Sequence, residues 1–221
     1  MPGADPALWT AASVGRKEEV LQLLADGKNI EQKGGEDPSS PLQVASLRGN
    51  GAAVSVLLQY GADVSVKTRH GNNSLHLAAE QGQEKCALLL IEHFAEVSAT
   101  DLFGMTPLHR AAGMGHYAMT RLLLQHGADI SAKSLAGHTC LHGAAATGRN
   151  AVVRLLLDEG AELHAKTTGG MTPETLATSS RCHDTAAMLK AEAVRRDEAC
   201  LLALLKAEAV RRGEAAPFLR R

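Results

Sequence analysis

The sequence predicts an α-solenoid: about six stacked helix–turn–helix units with hairpin-like connections, followed by a C-terminal helical extension. Three observations carry this expectation. A four-residue motif recurs along the chain at a fixed period. Several other positions repeat in phase with it. Aromatic residues make up only 3% of the 221 residues although 45% are apolar. The core must therefore be built from Ala and Leu in thin layers, with few large rings to fill it.

The motif is clearest in Thr106-Pro107-Leu108-His109 and Thr139-Cys140-Leu141-His142, with Thr172-Pro173 one step further on. Stepping back gives Asn73-Ser74-Leu75-His76 and then Ser40-Pro41-Leu42-Gln43. The next step, to Leu8, is longer by one, which places an inserted residue in the loop 34–40. Small pairs follow each leucine: Ala11-Ala12, Ala45-Ser46, Ala78-Ala79, Ala111-Ala112 and Ala144-Ala145. A glycine follows each pair, at Gly15, Gly49, Gly82, Gly115 and Gly148. Apolar pairs come next: Leu23-Leu24, Leu57-Leu58, Leu90-Ile91, Leu123-Leu124 and Leu156-Leu157.

Each feature has a physical meaning. Proline at the first helical turn loses no useful N–H. The Ser or Thr before it caps the helix N-terminus. The small pair lets a short first helix pack closely on its neighbour. The glycine ends that helix, where a positive φ is required. The apolar pair marks a second helix. Gly61-Ala62-Asp63, Gly127-Ala128-Asp129 and Gly160-Ala161-Glu162 end it and lead into the polar connection. A single unit of this length cannot bury its apolar face, so at least ~3 must stack.

These in-phase residues resemble the ankyrin repeat family, over roughly residues 7–190. The resemblance implies β-hairpin connections projecting from each unit, a curved stack with a concave face, and protein binding through the hairpin tips and inner helices. The units fall near 7–39, 40–72, 73–105, 106–138, 139–171 and 172–189, within a repeat domain of residues 1–189. Departures from the pattern carry expectations of their own. Phe94 stands where the third unit needs its helix-ending glycine, so a distorted turn is expected there. Glu174 and Arg181 replace the leucine and the mid-unit glycine of the sixth unit, which reads as a polar cap. Ser65, Ser98, Ser131 and His164 stand where the family usually has asparagine.

In the tail, residues 190–221, the pattern changes. Leu189-Lys190-Ala191-Glu192-Ala193-Val194-Arg195-Arg196 recurs from Leu205 to Arg212. At ~100° per residue, the offset from Leu189 to Leu205 turns the second copy by about 160° from the first in a straight helix. Two arrangements follow: a break near Asp197 with the second helix packed on the last unit, which is the one expected, or one long helix with two differently facing halves. Pro217 ends any helix, leaving a frayed end. The tail carries a net charge of +3 and the remainder −4, for −1 overall. This balance gives no electrostatic footprint for nucleic acid. The longest apolar runs are too short to span a membrane, and no secretory leader is expected at the N-terminus. The four cysteines lack paired spacing and read as reduced thiols. A cytoplasmic location is expected, with a nuclear one also compatible.

Ten histidines invite a metal reading. His76, His109 and His142, however, occupy one position in successive units, separated by the ~8–10 Å between packed helices. A zinc ion needs nitrogens at ~2.0–2.1 Å, so these three cannot share one. The resemblance implies instead that they hydrogen-bond the adjoining turns. His138 lies before its helix begins, which spoils the spacing with His142. No P-loop, Cys-x-x-Cys or nucleotide-binding glycine fingerprint occurs, so neither catalysis nor a cofactor is expected.

Projecting the family's concave positions onto this chain selects Lys67, Arg69, His70, Asn72, Glu80, Gln81, Leu102, Phe103, Met105, Arg110, Gly113, Met114, Leu135, His138 and Thr147. In the fourth unit Leu102, Phe103, Met105 and Met114 are all apolar, where a solvated hairpin would be polar. The expected partner-binding set is Arg69, His70, Leu102, Phe103, Met105, Arg110, Met114 and Leu135. The alternative is that Phe103 or Met105 folds back on a neighbouring hairpin. The function expected is a non-catalytic scaffold, a monomer that binds another protein. A self-associating module that dimerises through the C-terminal helices is the second possibility.

Overall fold

The computed structural model describes residues 7–34 and 38–211. Twelve helices occur among them, in consecutive pairs. They are α1 (Ala7–Val14) with α2 (Lys17–Ala25), α3 (Pro41–Arg48) with α4 (Gly51–Gln59), and α5 (Ser74–Glu80) with α6 (Glu84–Glu92). Next come α7 (Pro107–Met114) with α8 (Tyr117–Gln125), α9 (Cys140–Ala146) with α10 (Asn150–Asp158), and α11 (Pro173–Ser179) with α12 (His183–Arg211). The odd-numbered helices pack on one another along one layer and the even-numbered ones along a second.

The recurrent leucines fill the inner layer: Leu42, Leu75, Leu108 and Leu141 are all buried, and so are the small pairs after them. Leu57, Leu90, Leu123 and Leu156 close the core from the second layer. Each such side chain contributes about 1.5–3 kcal/mol by leaving water. Several caps form as the sequence suggests. The Ser40 and Thr106 hydroxyls accept from the Gln43 and His109 amides. The Asn73 side chain serves in the same way for His76. Gly49 and Gly115 end α3 and α7 at φ 76° and 86°.

The connections between units differ from the expected β-hairpins. Among the described residues no strand longer than an isolated bridge forms; that bridge pairs Gly34 with Ser39. The other connections are tight turns. In one, Thr68 N–H bonds the Asn72 carbonyl (2.9 Å) and Gly71 N–H the Thr68 carbonyl (2.9 Å); in another, Ser134 N–H bonds the His138 carbonyl (2.9 Å) and Gly137 N–H the Ser134 carbonyl (2.8 Å). Two bonds within one tight turn do not make a strand ladder.

The turn at Phe94 is not distorted. Phe94 takes φ 64°, and its N–H and that of Ala95 bond the Ile91 and Leu90 carbonyls at 2.9 Å. Gly61 and Ala62 do the same with Leu58 and Leu57. The strain therefore sits in the residue while the turn keeps its shape. Phe94 is also 94% exposed and gains almost no packing. A left-handed φ costs a non-glycine residue about 1–2 kcal/mol. Phe94→Gly is therefore expected to raise stability by about 1 kcal/mol, read as a higher urea midpoint with an unchanged slope. An unchanged or lower midpoint would refute this account of the turn. Arg181 (φ 63°) takes the same conformation in place of the sixth mid-unit glycine.

In the tail the expected break is absent and the other arrangement is found, one long helix with two differently facing halves. α12 runs without interruption from His183 to Arg211 and passes through Asp197. Nothing between those residues is Gly or Pro, and Ala, Leu, Lys, Glu and Arg dominate. One Asp inside such a helix costs only ~0.7 kcal/mol or less, too little to break it. The first copy of the duplicated octapeptide docks on the stack. Leu189 is fully buried, and Arg196 Nη2 donates to the Leu157 carbonyl at the end of α10 (2.9 Å). The Arg195 and Arg196 guanidiniums hold the Glu192 carboxyl down at about 2. The second copy is turned away: Leu205 is 49% exposed, and residues 198–208 are all exposed rather than packed on the last unit. Pro217 and residues 218–221 lie outside the described residues.

Candidate functional site

The turns between units join into one continuous edge. Leu102 N–H donates to the His70 carbonyl (3.2 Å), Leu135 N–H to the Phe103 carbonyl (2.9 Å) and Thr168 N–H to the Ala136 carbonyl (3.0 Å). Each turn thus hangs on the one before it. Glycine makes this approach possible. Gly104 has φ 71°, and a Cβ there would lie 2.9 Å from the Leu135 nitrogen. No side chain can occupy that space without parting the turns.

Four of the expected contact residues lie open along or beside this edge. Leu102 is 65% exposed, Phe103 60% and Leu135 76%, with Met114 at 46% at the end of α7. The leucines are the side chains that lean on neighbouring turns: a Cβ built at Gly71 would lie 3.1 Å from Leu102 Cγ, and one at Gly104 3.3 Å from Leu135 Cγ. Arg69 and His70 are exposed on the preceding turn, where Arg69 Nε donates to His70 Nε2 (3.1 Å).

Three projected residues have other work. Met105 is half-buried; its carbonyl accepts from Asp101 N–H and meets His76 Nε2. Asn72 is buried, and its carbonyl accepts from Thr68 N–H. It therefore does not face a partner. Arg110 is half-buried and ion-paired, with Nη2 2.6 Å from Asp101 Oδ2. Among the rest, Lys67 is exposed, and Glu80, Gly113 and His138 are half-buried. The Thr147 hydroxyl donates to the Gly113 carbonyl (2.9 Å).

Asp101 has no part in the set expected from sequence, yet it organises this turn. Its carboxylate is buried and accepts from the Phe103 amide (2.8 Å) and the Met105 amide (2.9 Å) as well as from Arg110. Burial pushes this carboxyl up, but the guanidinium and the two amides outweigh it and hold the group below the usual carboxylate range. Neighbouring units use a hydroxyl at this place: Thr68, Ser134 and Thr167 accept from turn amides in the same manner. The signal in the sequence is one acid in a column of hydroxyls.

The recurrent histidines pin the turns to the inner helices. His109 Nε2 donates to the His138 carbonyl (2.9 Å), and His142 Nε2 to that of Met171 (3.1 Å). On the other side of each ring, Nδ1 meets the Thr106 or Thr139 hydroxyl at 2.8 Å. The His138 and His142 rings stack with centroids 5.7 Å apart. Among the described residues no three His, Cys, Asp or Glu side chains are grouped so as to hold a metal ion, and no helix is long and apolar enough to cross a membrane. Burial pushes the Cys86 and Cys140 thiols up to about 11 and 12, which leaves almost no thiolate for nucleophilic chemistry.

Comparison with known proteins agrees with this architecture. The family model described as ankyrin repeats (3 copies) matches residues 8–101, 69–134 and 95–167. An E3 ubiquitin-protein ligase of Arabidopsis thaliana is 34% identical over 88 residues, covering 35% of this chain and 5% of that protein. A putative ankyrin repeat protein of Rickettsia prowazekii is 50% identical over 42 residues, 19% of this chain and 39% of that one. A putative ankyrin repeat protein of Pyrobaculum aerophilum is 36% identical over 78 residues, 35% and 28% respectively. The chain thus spans well under two thirds of each of these relatives.

Proposed function

Because the chain belongs to the ankyrin repeat family, whose members generally act as protein–protein interaction modules, we propose that it is a non-catalytic scaffold. It captures a protein partner along the turn edge and the concave ends of the inner helices. The observation that carries this reading is the run Leu102, Phe103 and Leu135, with Met114 beside it, left open on a backbone that is hydrogen-bonded from turn to turn. Aromatic and Met side chains are the types enriched at interface cores. The turn-to-turn hydrogen bonds beneath them lower the ordering cost of binding.

The test is affinity capture with the full chain against the Phe103→Asp, Met114→Asp pair. Proteins captured by the unaltered chain should be lost about tenfold or more. Stability should stay within about 0.5 kcal/mol, as for other exposed positions. Retained capture, or unfolding of the variant, removes the reading.

A second reading rests on a different observation. Leu201, Leu202, Leu204 and Leu205 are 59%, 44%, 59% and 49% exposed on α12, which favours self-association through this segment. The apolar stretch covers less than two heptads, while a sustained coiled coil needs about three or four. Sedimentation equilibrium of the full chain and of one ending at Asp197 separates the cases. A dimer that becomes a monomer on truncation supports self-association, and an unchanged monomer removes it.

A further inference from the structure

The turn edge has a charge as well as an apolar centre. Through the connections 64–72, 97–105, 130–138 and 163–171, the basic residues are Lys67, Arg69, Lys133 and Lys166, and the sole acid is Asp101. All four basic side chains are exposed. Asp101 is buried and paired with Arg110, so it offers no negative charge to a ligand. Just ahead of these connections stand four exposed acids, Asp63, Glu96, Asp129 and Glu162, of which Asp63 and Asp129 accept from Ser65 and Ser131 in their own loops. The exposed charge of the turn residues themselves is therefore basic, and each of the three lysines stands four residues beyond an exposed acid. Lys67, Lys133 and Lys166 stand at one place in their units, the first two units before the second and the second one unit before the third. Lys67 Nζ reaches along the edge to the Thr100 carbonyl (3.0 Å), beside the Leu102–Phe103 turn.

We infer that the partner of this edge is an acidic protein segment, extended along the turns, with apolar anchors seated on Leu102, Phe103 and Leu135 between flanking Asp and Glu residues. The inference rests on the turn edge being the docking surface and adds the chemistry of what docks there. Dimensions agree with it. Three steps of the stack, from the Lys67 turn to the Lys166 turn, cover roughly 30 Å at ~8–10 Å per packed layer. An extended chain rises ~3.3 Å per residue, so a segment of about ten residues spans these turns. Exposed lysines steer an acidic segment toward the edge and set its register, while the apolar contacts hold it. Beside the central turn, Arg110 is tied up by Asp101. Specificity along the edge thus falls to Lys67, Arg69, Lys133 and Lys166 for charge and to Leu102, Phe103 and Leu135 for shape.

A random dodecapeptide library displayed on phage and selected on the immobilised full chain tests this directly. Enriched peptides should carry net negative charge around one or two Leu, Ile, Phe or Met residues. A synthetic peptide of the enriched sequence should bind the Lys67→Glu, Lys133→Glu, Lys166→Glu variant about tenfold more weakly or worse. Its affinity for the unaltered chain should fall as salt rises. Circular dichroism of the variant should be unchanged, since all three lysines are exposed. Enrichment of neutral or basic peptides that still need Phe103 overturns the acidic assignment and leaves the docking edge standing. No enrichment that depends on Phe103 overturns both. Equal competition by a single-stranded oligonucleotide overturns it in favour of a nucleic-acid ligand.

Discussion

Replacing Asp101 with Ala is expected to destabilise the protein by roughly 3 kcal/mol and to abolish capture through Phe103. The carboxylate holds the Phe103 and Met105 amides and the Arg110 guanidinium at once. Charge-assisted hydrogen bonds to buried carboxylates contribute about 1.5–3 kcal/mol each. Removing one partner of a buried ion pair costs ~3–5 kcal/mol. These ranges overlap in the same atoms and do not add. Arg110 is 23% exposed and recovers part of its hydration, which brings the figure toward the lower end. The neighbouring units supply the control. Thr68 and Thr167 occupy the Asp101 place, and the residues that correspond to Arg110 in those units are Leu77 and Leu176. The double variant Asp101→Thr, Arg110→Leu copies that pairing and should recover to within about 1 kcal/mol of the parent. Asp101→Thr alone leaves Arg110 without its counter-ion and should fall between. Urea unfolding of all three variants decides it. A loss below ~0.5 kcal/mol for Asp101→Ala, the size of an ordinary surface change, would show that the turn holds its shape without the carboxylate.

How far the sequence speaks depends on whether a feature is periodic. Leu42, Leu75, Leu108 and Leu141 announce the core because each sits at one place in the repeating unit and is buried there. The caps at Ser40, Asn73 and Thr106 are legible for the same reason. Features that break the period are less legible. Phe94 is a visible misfit, but the local hydrogen bonds decide whether the turn or the residue yields, and two bonds to the helix end outweigh about 1–2 kcal/mol of backbone strain. In the tail, the rotation between the octapeptide copies leaves two outcomes, a break near Asp197 or one helix with two differently facing halves, and the helix continues. A helix needs no continuous apolar stripe to persist when its residues favour helix strongly. The same rotation instead leaves Leu205 in solvent while Leu189 is buried. At the candidate site, exposure of Leu102, Phe103, Leu135 and Met114 follows from their place in the unit. The commitment of Arg110 to Asp101, and the burial of Asn72, depend on contacts between positions with no common period.

Acidification is expected to weaken the stack well before its carboxylates titrate. His76, His109 and His142 are all buried. Desolvation pushes each imidazole below its ordinary range, against a smaller upward pull from the carbonyls of Met105, His138 and Met171. For His76 the shift runs down to about 4. In the unfolded chain these rings titrate near ~6.5. A basic group with a depressed folded value leaves stability intact above its unfolded value. It drains stability as pH falls from there toward the folded value, because the unfolded chain takes up the proton first. One proton of difference amounts to about 1.4 kcal/mol per pH unit. His76 alone therefore takes on the order of 3 kcal/mol between about pH 6.5 and 4, and His109 and His142 add to it in the same direction. Asp63, Asp101 and Asp129 have lowered values and lose their contributions only below that window. Glu31 is raised by burial and works weakly the other way, gaining as pH falls. Urea unfolding followed by circular dichroism should give midpoints level from about pH 8 to 7 and falling steadily from about pH 6.5 to 4.5. The variant His76→Gln keeps a donor toward Met105 without a titrating ring. It should start lower at neutral pH and lose less over the same interval. A midpoint that stays flat across the acid interval would mean that these rings accept a proton in place, and that the turns are not held by neutral imidazoles.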